Sequence, residues 1–260
     1  MAARTTFLWG LKRSGIHLLV GWLYANLGAH SKGPLANESL HPQLCDGFAD
    51  EDASVAFVNN CGGLHSRRFA LGDLQAGDFR AAANQRSATI FGIEDCSLAF
   101  AERTEGVPDA THLLLLRDPL NHMASRLEAA TTRPEVFPIN EAFVDLLDAY
   151  CAEFLGRTAR LEAKTLVSYN RFVTDRHYRD ELAAGLGLPN HDAISEVSGY
   201  GGGSSFSGTR EPSPTASLLT RFHQHPLPPR LLDRLLERSS IGEACVTVFH
   251  YDLAELSGPG

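Results

Sequence analysis

No apolar run in this sequence reaches the about 20 residues needed to cross a bilayer, no two cysteines have CxxC spacing, and basic residues are in deficit. Each absence removes a class of function. Without a membrane-length run, and with the apolar stretch Phe7 to Trp9 too short for a signal peptide before a basic turn, no membrane partner is expected. The cysteines (Cys45, Cys61, Cys96, Cys151, Cys245) are odd in number, so reduced thiols in a cytoplasmic protein are expected, with no zinc site. A formal charge of −8 argues against a general nucleic-acid binder, and any anion site must be built locally. The 260 residues suffice for one large core, and a single domain over 1–260 is expected.

The strongest local signal is Thr5 to Asn26, TTFLWGLKRSGIHLLVGWLYAN. Thr5 to Trp9 is apolar with β-branched and aromatic residues, a short buried strand. Ile16, Leu19, Val20 and Leu23 fall at i, i+3, i+4 and i+7, one stripe of a helix. Gly10 to Gly15 must then be the turn, and it delivers backbone N–H groups and the helix dipole to one place, with Lys12 and Arg13 adding charge. The pattern is an anion cradle. It satisfies the GxxxxG half of a P-loop, but Ile16 and His17 occupy the Lys and Ser/Thr positions, so the usual magnesium–nucleotide site is not specified.

Further strands are expected at Ser54 to Asn59, Ala88 to Ile93, His112 to Leu116 and Leu166 to Tyr169. Helices are expected at Asp78 to Arg86, Pro119 to Ala130, Glu141 to Leu161 and Asp175 to Leu186. Asp118 is placed to cap the second of these and Pro119 to open it. Leu218 to His223 and Pro229 to Arg238 are also helical, and Ala244 to Tyr251 is an apolar close. This alternation predicts a three-layer α/β/α fold with a central, mainly parallel sheet, P-loop NTPase-like, whose ligands sit at the carboxyl ends of strands. The Gly-rich Tyr200 to Gly208 suits a lid within 199–210.

A second constellation is LLLLRDPLNHMASR, Leu113 to Arg126, in which Arg117 leaves a strand end and Ser125 follows eight residues later. A guanidinium and a hydroxyl brought together make a fork for phosphate. With both constellations in hand, the sequence resembles the sulfotransferases that use 3′-phosphoadenosine 5′-phosphosulfate (PAPS). In that family the first loop binds the 5′-phosphosulfate; Lys12, Arg13, Ser14, Gly15, Ile16 and His17 occupy it here, with Ile16 and His17 replacing two threonines. The family's Arg–Asp–Pro with a later Ser, matched by Arg117, Asp118, Pro119 and Ser125, binds the 3′-phosphate. The resemblance further implies Tyr169 near the adenine and Arg210 in a late cofactor-closing loop.

What the resemblance implies is in-line sulfuryl transfer from PAPS, without a metal, to a hydroxyl or amine of a small-molecule or glycan acceptor. Arg13, with Lys12 as the alternative, would stabilise the leaving phosphate. The base is sought after the strand that precedes Arg117, at Glu94 or Asp95, and Glu94 is preferred, with helix N-capping the other role for Asp95. His17 and His122 are rival bases. Two alternatives stay open: a P-loop small-molecule kinase using ATP, and a nucleotide-binding relative without turnover.

Overall fold

The computed structural model describes residues 4–27, 55–58, 79, 87–189, 191–192, 194 and 219–252. The strands expected from the sequence form one parallel sheet, in the order β2-β3-β1-β4-β5. They are β1 (Arg4–Gly10), β2 (Val55–Val58), β3 (Ala88–Glu94), β4 (Ala110–Leu116) and β5 (Lys164–Ser168). β1 lies at the centre, with β3 and β4 on its two sides. Connections therefore leave the sheet in opposite directions around β1, which opens a crevice at the carboxyl edge.

Strand periodicity sorts the side chains between two cores. Phe7, Trp9, Phe91, Ile93, Leu114 and Leu116 point to one face, and Leu8, Ile90, Leu113 and Leu115 to the other. The first face is covered by α2 (Pro119–Thr132), α3 (Glu141–Phe154) and residues of α6 (Arg221–Gln224), α7 (Pro229–Leu236) and α8 (Ser239–Thr247). The second is covered by α1 (Ile16–Asn26), α4 (Tyr169–Thr174) and α5 (Arg176–Gly185). The architecture is three-layer α/β/α with a parallel sheet, as the alternation predicts.

Local chemistry explains the starts and stops. Asp118 accepts the amides of Leu120 and Asn121, and Pro119 opens α2. Trp9 and Trp22 are fully buried, and Trp9 donates its indole N–H to His112 Nδ1 at 3.0 Å. The helix expected to run from Glu141 to Leu161 stops at Phe154. There Gly156 turns left-handed (φ 73°), and the Glu153 carboxylate accepts the amides of Arg160 and Leu161 and pairs with Lys164. Tyr169 begins a helix rather than ending a strand, and Ala244 lies inside α8. No helix among the described residues is long and apolar enough to cross a membrane. The helix expected at Asp78 to Arg86, apart from Phe79, and the segment 199–210 with Arg210 lie outside the described residues.

Candidate functional site

The site is built where β1, β3 and β4 end. After Gly10 the chain makes a turn in which the Ser14 amide donates to Leu11 O at 2.9 Å, and α1 follows. Two residues of this turn are left-handed: Arg13 at φ 76° and Gly15 at φ 97°. For Arg13 that conformation costs on the order of 1–2 kcal/mol, so the surroundings must enforce it. Gly15 is required twice over, because a Cβ there would also lie 2.1 Å from the Tyr169 ring.

No described side chain caps α1, which leaves the dipole end of that helix directed at the turn. Beside it, the Ser14 hydroxyl is buried with no hydrogen-bond partner among the described residues. A buried hydroxyl is costly to leave unsatisfied, so its presence next to an uncapped helix start favours an anionic ligand. Ile16 does not take part through its side chain; it is buried in the core, with its Cδ1 2.8 Å from where a Cβ on Gly10 would stand. The His17 ring makes an edge contact with Phe57, centroids 6.1 Å apart.

The turn is tied to the rest of the edge through its own backbone. Arg117 Nη1 donates to Arg13 O at 2.9 Å, and its guanidinium lies 5.2 Å from the centre of the Tyr169 ring. This bond joins the two constellations through residues 104 apart in sequence. On the same side His122 Nε2 meets Lys12 O at 2.9 Å, and burial depresses its pKa to about 3. With Nε2 donating to a carbonyl and the ring held neutral, His122 supports the turn and is poorly placed to act as a base.

Ser125 is fully buried on α2, and its hydroxyl meets Arg221 Nη1 at 3.3 Å. The sequence pattern gave no notice of Arg221. It is delivered by a network around α2: Asn121 accepts the Phe222 amide at 2.8 Å, donates to Leu219 O, and donates to Asp118 Oδ2, which also accepts from the Tyr251 hydroxyl at 2.6 Å. Leu219, Phe222 and Tyr251 are thus tied to the start of α2 beside Arg117. Arg13, Arg117 and Arg221 consequently repel one another. Burial first, and this repulsion second, lower the guanidinium pKa values of Arg13 and Arg221 to about 10, so that both stay cationic at neutral pH, and burial lowers that of Arg117 too.

Two adjacent carboxylates end β3. Burial, and then the charge of Asp95, raise the Glu94 pKa to about 7, against the pull of Lys12, Arg13 and Arg126. A carboxyl group of that pKa exchanges protons freely at neutral pH. Asp95 is committed elsewhere: it accepts the Lys12 amide at 2.9 Å and pairs with Arg126 at 3.0 Å. It caps no helix, since Ser97 accepts the Ala99 amide at the start of the 3₁₀ turn Leu98–Arg103. The structure therefore brings together Lys12, Arg13, Ser14, Gly15, Glu94, Arg117, Ser125 and Tyr169, keeps the Ile16 side chain in the core, and adds Arg126 and Arg221.

No protein-family model matches the chain, and no curated protein matches it. Among solved structures, the sulfotransferase domain from the Synechococcus PCC 7002 olefin synthase is similar, with a TM-score of 0.53 and 15% sequence identity over 96% of this chain and 94% of that one. At that identity the likeness is one of fold.

Proposed function

We propose that this chain is a sulfotransferase that uses PAPS and transfers the sulfuryl group to a hydroxyl or amine of a small-molecule or glycan acceptor. The observation that carries the reading is the cluster of Arg13, Arg117 and Arg221 at the carboxyl edge, held against the turn by the Arg117 to Arg13 bond. Collecting buried like charges is unfavourable by itself. A ligand with phosphate groups at both ends of a nucleoside offsets that cost. The orphaned Ser14 hydroxyl, the uncapped α1 and the Ser125–Arg221 pair fit such a ligand.

In this reading Arg13, Ser14 and the start of α1 hold the 5′ end, with Lys12 beside them, while Arg117, Ser125 and Arg221 hold the 3′-phosphate. PAPS supplies, when bound, a sulfuryl group on its 5′-phosphate. Arg13 is placed to offset the negative charge that grows on that phosphate as the sulfur–oxygen bond breaks. The Glu94 carboxylate takes up the proton that the acceptor gives up as its oxygen or nitrogen bonds to sulfur. Tyr169, packed on Gly15 and under Arg117, shapes the wall between the two phosphate regions. The fold likeness to a sulfotransferase domain supports this reading of the residues.

A P-loop kinase is the competing reading, and it is disfavoured because the position of the phosphate-binding lysine is held by Ile16, buried in the core. Thermal denaturation with 3′-phosphoadenosine 5′-phosphate (PAP) or with ATP and magnesium separates the two. PAP is expected to raise the melting temperature well above the effect of ATP–magnesium. Stabilisation by ATP–magnesium alone would overturn the proposal.

A further inference from the structure

Asp95 is pinned to the anion-binding turn at more than one point. Its backbone is left-handed at φ 51°, and its amide donates to Gly10 O at 3.2 Å, where the turn begins. Its Oδ1 accepts the Lys12 amide at 2.9 Å, inside the turn. Arg126 closes the arrangement by donating to both carboxylate oxygens, at 3.2 and 3.0 Å. Arg126 is itself immobilised: it is 1% exposed, its Nε donates to Pro138 O at 3.1 Å, and its guanidinium lies 3.6 Å from the centre of the Phe143 ring. Burying a guanidinium to this degree is unfavourable without a carboxylate, and Nη1, shared between the two oxygens, holds that carboxylate in place.

We propose that Asp95 and Arg126 are a positioning pair for the reaction assigned above, locking the Lys12–Arg13 turn against the end of β3 and balancing the charges around Glu94. The inference rests on the sulfotransferase reading for the role of Glu94 but not for the geometry of the pair. Among the described residues, the charged and titratable groups that act on Glu94 include Asp95 just after its own strand, Lys12 and Arg13 from the turn, Arg126 from α2 and Tyr150 from α3. Asp95 opposes ionisation of Glu94, whereas Arg126 favours it. Removing one or the other should move Glu94 in opposite directions, which a pair that merely supports packing would not do.

Infrared difference titration of the full-length protein, with Gln or Asn substitutions to assign the Glu94 band, reads this without turnover. Asp95→Asn, which keeps an acceptor for the Lys12 amide, should lower the Glu94 midpoint by about one pH unit, and Arg126→Gln should raise it by about as much. Arg126→Lys keeps the charge and loses the Nε bond to Pro138 O that anchors the side chain, so its midpoint should stay near that of the wild type while kcat for sulfate transfer falls more than KM rises. Should Asp95→Asn not fold, the split between Arg126→Gln and Arg126→Lys decides the question. Midpoints that stay in place, or that move in the same direction in Asp95→Asn and Arg126→Gln, overturn the pair. Opposed shifts in a protein that transfers no sulfate uphold the pair and overturn the functional reading instead.

Discussion

The two ends of the candidate site are both cationic, yet they are built from different partners. At the β1–β3 end a carboxylate sits among the cations: Glu94 has a pKa raised to about 7, and Asp95 is bound to Arg126 and to the turn. At the β4–α2 end the groups that face one another are guanidinium, hydroxyl and ring: Arg117 over Tyr169, and Arg221 on Ser125. There the carboxylate of Asp118 is turned to the helix start, Asn121 and Tyr251. The first end carries a group that can exchange a proton at neutral pH, whereas the second, in the proposed reading, holds a phosphate. Chemistry and affinity are therefore separable along one sheet edge, and substitutions should separate them.

The largest effect is expected at the proton-exchanging end. Glu94→Gln should lower kcat for sulfate transfer by about a hundred- to ten-thousand-fold and leave PAP affinity within about threefold in calorimetry, far below what loss of a charge-assisted bond would cost. The same variant has a signature in stability. Unfolded Glu94 releases its proton near about pH 4.3, but folded Glu94 does so near about 7. Between these values the folded state holds more protons, so this group makes stability fall as pH rises through that window. Melting temperatures of Glu94→Gln relative to wild type should thus increase from about pH 5 to about pH 8. A constant difference would show that Glu94 is not held protonated by the fold.

At the other end the effects should fall on binding. Arg117→Ala removes a buried charge-assisted donor and should weaken PAP binding by roughly 100-fold, with kcat at saturating donor changed far less. Arg221→Gln should weaken it by about tenfold and Ser125→Ala by a few-fold, each measured by titration calorimetry. If Arg221→Gln instead abolished turnover at full PAP affinity, the division between the ends would be wrong. The smallest effect is expected for Tyr251→Phe, which removes the hydroxyl that bonds Asp118. Urea unfolding should show a loss of about 1–2 kcal/mol, and PAP binding should weaken only as far as Arg221 loses its place.

The same contrast explains what could be read from the residues alone. β1, β3 and β4 are short apolar runs whose neighbours do not compete for another structure, and Asp118–Pro119 is a local helix start, so these elements were legible. Arg117 and Ser125 stand out because they lie eight residues apart across one strand end and the helix that follows it. Arg126 and Arg221 did not, because their partners lie 31 and 96 residues away. A faint signal does exist for Arg126: His122, Ser125, Arg126 and Ala129 fall at i, i+3, i+4 and i+7 on the buried side of α2, where an arginine needs a carboxylate. Asp95 was open to helix capping on its sequence position, but Ser97 has the shorter route to that role. The helix from Glu141 ends at Phe154, short of the expected Leu161, because Gly156 and the acceptor capacity of Glu153 end it.

In the proposed reading the β4–α2 end recognises a 3′-phosphate, and a pair of nucleotides differing only in that group tests it directly. Calorimetric titration with PAP and with adenosine 5′-monophosphate should show PAP bound roughly 100-fold more tightly by the wild type, from charge-assisted bonds to the extra phosphate. That preference should largely disappear in Arg117→Ala. Equal affinity of the wild type for both nucleotides would contradict the account.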